Sequence, residues 1–152
     1  MLTINNFFIL VCLFYYFLFT CKNISKYKMK KSALLIEMNY KGTKNETISE
    51  VSINDVGKIL KDKFKYGDMI YLKESSEQKN FLPTKKNILE NMRKIVDESK
   101  SCNEIWIHYI GHSTNLVDSR NEYCPKGLVP LDYKTEGFIF DDELKEICLS
   151  TK

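Results

Sequence analysis

No C-x-x-C pair and no Cys/His spacing of a zinc site occurs among the five cysteines (Cys12, Cys21, Cys102, Cys124, Cys148) and two histidines of this chain. That argues against a structural zinc site, and the odd count argues against a complete internal disulfide framework. Free thiols in a reducing compartment fit better. There is no block of one charge: a net charge of +3 is mild, and the lysines are spread apart from a cluster at Lys22 to Lys31. A nucleic-acid partner is therefore not indicated. Repeats and low-complexity segments are missing too. The remaining composition, 43% hydrophobic and 28% charged, is that of one globular domain of ordinary size.

No apolar run reaches the ~20 residues of a comfortable membrane span. The longest, "FFILVCLFYYFLFTC" from Phe7 to Cys21, has 15 residues. Upstream, "MLTINN" carries no Lys or Arg, so the charged start of a secretory signal is missing. Lysines follow the run instead, which predicts an anchor with the folded part on the cytoplasmic side. The other reading makes residues 1–28 an upstream extension, with Met29 as the start. Either way the expected division is 1–28 as an apolar segment and 29–152 as the domain.

From Lys31 onward, strand and helix patterns alternate. "ALLIEM" (Ala33 to Met38) is short and continuously apolar, as a buried parallel strand is. "SINDVGKILKDKF" places Ile53, Val56, Ile59, Leu60 and Phe64 on one helical face. "MIYLK" reads as the second strand. "TKKNILENMRKIVDES" is an amphipathic helix with Ile88, Leu89, Met92, Ile95 and Val96 in register and Thr84 as N-cap after Pro83. "EIWIHYI" is the third strand, followed by a polar loop, two short extended pieces ("LVPL", "FIF") and a helix over "DDELKEICL". Such alternation implies an α/β fold, a mostly parallel sheet with helices on both faces. Ligands and catalytic groups then gather at the carboxyl ends of the strands.

His112 stands at such an end. Gly111 before it allows a sharp turn that projects the imidazole over the sheet edge, where it can serve as a general base or remain a turn residue. His108 lies inside the strand and reads as a residue of its face.

The blocks "KKSALLIEMNYKGTKNE", "INDV", "LPTKKNILENMRKIV", "HYIGHS" and "LVPLDYKTEGFIFDDEL" follow the order and spacing of a metacaspase. Over about Lys30 to Lys152 the chain resembles the large catalytic subunit of this caspase-like cysteine peptidase family. The resemblance implies the caspase-hemoglobinase fold, cleavage of peptides after Arg or Lys, and calcium as a cofactor. By position, His112 matches the catalytic histidine of a Cys-His dyad, with Gly111 and Ser113 on the turn that borders an oxyanion site. Asp55 matches an acid of the pocket for the basic substrate residue. Asp141 and Asp142 match an acidic pair of a calcium site. Local chemistry offers other roles: Ser52-x-x-Asp55 reads as a capping box, and Asp141 and Asp142 suit a helix start.

Departures from the family pattern are as informative. Ile110 replaces a pocket serine, and Ser113 replaces the second glycine of the motif. The loop "TNLVDSRNEYCPKG" keeps Asp118 and Glu122 but few other acids. The "D-x-C-x-S-G" nucleophile block occurs nowhere in the 152 residues. Cys148 reads as packed beside Leu144 and Ile147. The expectation is thus a caspase-like domain incomplete at its C-terminus, inactive alone, with "EIWIHYI" as an exposed sheet edge. Its partners would be a peptide or protein substrate with a basic residue before the scissile bond, or a complementary chain that supplies the missing strand. The alternative is a non-catalytic module that binds through that edge.

Overall fold

The computed structural model describes residues 30–47, 49–99, 104–115 and 126–149. Strand β1 (Lys31–Glu37), helix α1 (Ile53–Asp62), strand β2 (Asp68–Lys73), helix α2 (Lys85–Glu98) and strand β3 (Glu104–Ile110) follow one another. Then come β4 (Ser113–Asn115), β5 (Lys126–Leu128), the single turn α3 (Tyr133–Glu136), β6 (Ile139–Phe140) and α4 (Asp141–Leu149). The first three strands form a parallel sheet in the order β2-β1-β3. The last three form a small antiparallel sheet, β4-β5-β6.

The apolar run of β1 is continuous because both of its faces are covered. Leu34, Ile36 and Met38 pack with Ile88, Leu89, Met92, Ile95 and Val96 of α2 and Ile147 of α4. Ala33 and Leu35 pack on the other face with Ile53 and Leu60 of α1 and with Tyr66. Helices thus lie on both faces, as the alternating pattern predicts. Each such Leu or Ile, taken fully out of water, contributes about 1.5–3 kcal/mol.

Capping follows the sequence and then exceeds it. Thr84 Oγ1 accepts the Asn87 N–H at 3.3 Å at the start of α2, and Ser52 Oγ caps α1 by accepting the Asn54 N–H at 3.2 Å, without the reciprocal Asp55 bond of the expected capping box among the described contacts. A second acceptor for α2 comes from far along the chain: Asp132 Oδ1 takes the Lys85 N–H at 2.8 Å. Lys85 Nζ in turn reaches the Phe138 carbonyl at 2.7 Å and Glu143 at 3.2 Å. The 132–143 segment is thereby tied to the start of α2.

Two apolar assignments are corrected. Ile59 and Phe64, expected on one apolar helical face, are exposed, and Phe64 lies beyond the last residue of α1. The strip that meets the sheet is narrow, since Ile53, Gly57 and Leu60 fill it. Cys148 is exposed as well. It follows buried Ile147 directly, and the 100° step of a helix turns it off the core stripe.

Strand β3 has one hydrogen-bonded neighbour among the described residues, β1. Its other edge is open, with Trp106 43% and Ile107 36% exposed. No described helix is long and apolar enough to cross a membrane. The run from Phe7 to Cys21, and Cys102, Asp118, Glu122 and Cys124, lie outside the described residues.

Candidate active site

Because β2 and β3 flank β1, the chain leaves the carboxyl ends of β1 and β3 toward different faces of the sheet. The crevice between those ends is where open α/β sheets place their ligands. His112, two residues beyond β3, occupies it.

Five contacts hold this histidine. Its backbone N–H donates to Tyr40 Oη at 2.9 Å, and its carbonyl accepts from Tyr109 Oη at 2.9 Å and from the Val129 N–H at 3.1 Å. The imidazole stacks on the Tyr40 ring, with centroids 4.5 Å apart and planes at 25°. Its Nε2 lies 2.7 Å from the Asn45 carbonyl oxygen. A carbonyl oxygen accepts only, so Nε2 carries the proton, and Nδ1 is the atom left to take another.

Tyr40 is 2% exposed and adopts a φ of 52°. A bulky residue in the left-handed region costs about 1–3 kcal/mol, which the surroundings must offset. Here its hydroxyl donates to the Val129 carbonyl at 2.7 Å while accepting from His112. Tyr109 Oη also approaches Val129 O, at 3.1 Å. Burial pushes the Tyr40 phenol above its ordinary pKa. Burial, reinforced by the bond to Tyr40, pushes Tyr109 well above its own. Both phenols therefore stay protonated near neutrality and keep the O–H that each donates.

The loop after β1 brings Asn45 to the ring. Thr43 N and Oγ1 both donate to the Tyr40 carbonyl, at 3.1 and 2.7 Å, and the Thr47 N–H returns to Asn39 O at 2.9 Å. Gly42 turns this loop at φ 74°. Gly111 serves another purpose than its expected turn, since its φ is not in the left-handed region. A Cβ there would lie 2.8 Å from Tyr109 Oη, so the missing side chain lets the phenol fold back to the His112 carbonyl. Ser113 is exposed and begins β4, paired with Leu128.

A cavity of about 300 Å³ adjoins the imidazole, lined by Asn45, His112, Ser113, Thr114, Val129, Tyr133 and Phe138. Asp55 is not part of it. It sits exposed on the first turn of α1, its N–H bonded to the Ser52 carbonyl at 3.0 Å. A second, polar cavity at that helix start, about 360 Å³, is lined by Glu37, Asn39, Lys41, Ser52, Asn54, Lys73, Glu74 and Ser75, again without Asp55. His108 is half-buried in mid-strand, opposite Leu35.

Asp141 and Asp142 open α4. Asp141 Oδ1 accepts the Asp142 N–H at 3.2 Å, and Glu143 Oε2 accepts the Phe140 N–H at 3.0 Å. Calcium takes six to eight oxygen ligands. Among the described residues no three of His, Cys, Asp or Glu lie together to hold a metal ion. The described residues thus do not fit calcium, and no step of the chemistry below runs through it. Sequence reasoning singled out His112 but not its partners Tyr40, Asn45, Tyr109 and Val129. Their roles depend on contacts between residues far apart in the chain, which no local pattern announces.

Residues 31–151 match the metacaspase, peptidase C14 domain family. The chain is 31% identical over 134 residues to Metacaspase-1 of Lodderomyces elongisporus, covering 80% of this chain and 29% of that protein. It is 31% identical to Metacaspase-1 of Candida albicans over 80% of this chain and 30% of that one. Metacaspase-5 of Trypanosoma cruzi is 33% identical over 76% of this chain and 27% of its own length. The chain therefore spans less than a third of the length of these relatives. With a parallel sheet, helices on both faces and a histidine held at the carboxyl end of β3, it belongs to the metacaspase family of caspase-like cysteine peptidases.

Proposed function

We propose that this chain supplies the histidine-bearing part of a cysteine endopeptidase site that cuts peptide bonds after Arg or Lys. The observation that carries the reading is the pose of His112, with Nε2 spent on the Asn45 carbonyl. Nδ1 takes the proton of a cysteine thiol, and the thiolate attacks the carbonyl carbon of the scissile bond. The imidazolium formed is stabilised through its Nε2–H by Asn45 O, a charge-assisted bond. It then returns the proton to the leaving amine, and a water deprotonated by the same imidazole releases the acyl group. Asp55 lies outside both cavities and enters this reading only by its match to the family's pocket acid, as the carboxylate that would pair with the basic side chain of the substrate.

No cysteine among the described residues lines the cavity beside His112, Cys148 is exposed on α4, and no D-x-C-x-S-G block occurs in the sequence. The 152-residue polypeptide is accordingly expected to hydrolyse no peptide unaided. A second polypeptide carrying a D-x-C-x-S-G strand would complete the site by pairing with the open edge of β3, where Trp106 and Ile107 are exposed. That edge also supports a second reading, a non-catalytic module that binds such a strand.

Mixing the two polypeptides and assaying an Arg-containing reporter peptide tests both readings. Cleavage that appears on mixing and vanishes with His112→Ala is the expected result, and Asp55→Asn should raise KM for the basic substrate. Binding without cleavage favours the module. Cleavage by the 152-residue chain alone that is lost with His112→Ala overturns its expected inactivity.

A further inference from the structure

We infer that Tyr40 is a positioning residue for the imidazole of His112: one side chain fixes both the ring, by stacking, and the backbone, by hydrogen bonding. The inference rests on the catalytic reading of His112 but deepens it, because it says what sets the pose of the base. The described contacts that hold the ring come from the loop after β1: the Tyr40 ring at 4.5 Å and the Asn45 carbonyl at 2.7 Å. Tyr40 also takes the His112 N–H, and Tyr109 takes its carbonyl. Through the Val129 carbonyl, the Tyr40 hydroxyl joins three loops, those after β1, β3 and β5.

A phenol that only filled the core would need neither the left-handed backbone nor a hydroxyl aimed between two other segments. At φ 52° the chain departs from the ordinary path at the one residue whose ring must lie under the imidazole. With the stack removed, rotation about the ring's own bond breaks a single hydrogen bond, and Nε2 swings into solvent. With it in place, rotation must break two contacts together.

Diethyl pyrocarbonate carbethoxylates imidazole nitrogens, and peptide mass spectrometry separates His108 from His112, the chain's two histidines. With Nε2–H held on Asn45 O, the less hindered ring nitrogen is closed to the reagent and only Nδ1 is left to it. His112 in the 152-residue protein should therefore react about tenfold more slowly than in Tyr40→Leu, where the ring turns and either nitrogen can react. Tenfold corresponds to about 1.4 kcal/mol. Tyr40→Phe, which keeps the ring, should restore most of the protection, while the rate at His108 stays constant across all three. Equal His112 rates in the three proteins would overturn the inference, since the ring would then be posed by its own loop. Parallel acceleration at both histidines would overturn it too, because Tyr40 would only be holding the fold. If the His112 protection follows the expected order but the complemented protein cleaves no peptide, the peptidase reading fails and the positioning role stands.

Discussion

Strands β1 and β3 are each seven residues long, lie side by side in parallel, and are comparably apolar in sequence, yet their fates differ. Five consecutive residues of β1, Ser32 to Ile36, are buried, whereas none of β3 is. Leu34 and Ile107 face each other in the ladder; one is fully buried and the other 36% exposed. Composition does not separate them. Position does: β1 has a strand on either side and helices on both faces, and β3 has one neighbouring strand among the described residues. The open strand is also the one whose carboxyl end leads into His112.

Paired truncations test the comparison most directly. Leu34→Ala should cost about 2–5 kcal/mol, as large-to-small changes in a closed core do, and Ile107→Ala about 1 kcal/mol or less. Equal losses in urea unfolding would break the comparison by showing that the edge of β3 is covered in solution. The carboxyl end of β3 should show the next largest effect. In Gly111→Ala the new methyl displaces the Tyr109 hydroxyl from the His112 carbonyl, for a loss of about 1–3 kcal/mol. Adding Tyr109→Phe should then cost little more, because both changes remove the same contact.

The amino ends of the two strands should show the smallest effect. Lys31 Nζ meets Glu104 at 2.6 Å, and Tyr66 Oη donates to Glu104 at 2.9 Å. The bonds from Lys31 and Tyr66 hold the Glu104 carboxyl below its ordinary 4.5. Its stabilising contribution is therefore present above pH 4.5 and lost as pH falls through the lowered value. Burial and the bond to Glu104 push Tyr66 from 10.0 up to about 12, so its contribution is lost as pH rises across that interval. Tyr66→Phe should flatten the alkaline fall and weaken the acid one, as read from urea midpoints at each pH. An unchanged alkaline limb would show that Tyr66 is not the group responsible.

Much of the scaffold was legible because its signals are local. Ile88, Leu89, Met92, Ile95 and Val96 recur at helical spacing and are all buried, and Thr84 caps the helix they belong to. The alternation of strand and helix led to the sheet, and the order of the five blocks led to His112. Ile59, Phe64 and Cys148 were not legible, because helical periodicity tells which residues share a side and not how much of that side a neighbour covers. Tyr40 was quoted within a block but had no assigned role, for its contact with His112 spans 72 positions. Gly111 drew attention for backbone freedom, yet what its position requires is space for a side chain folding back from Tyr109.

By itself, then, the sequence determined the helices and strands of the α/β scaffold, the caps that start α1 and α2, and the strand end on which the histidine stands. These follow from periodicity and from hydrogen bonds between near neighbours in the chain. Only the tertiary structure decided that β1 is closed while β3 has an open edge among the described residues, that two phenols grip the backbone of His112, and that a carbonyl from the loop after β1 accepts a hydrogen bond from its Nε2–H. Those outcomes depend on which distant segments arrive at the same place, and packing between segments is what brings them there.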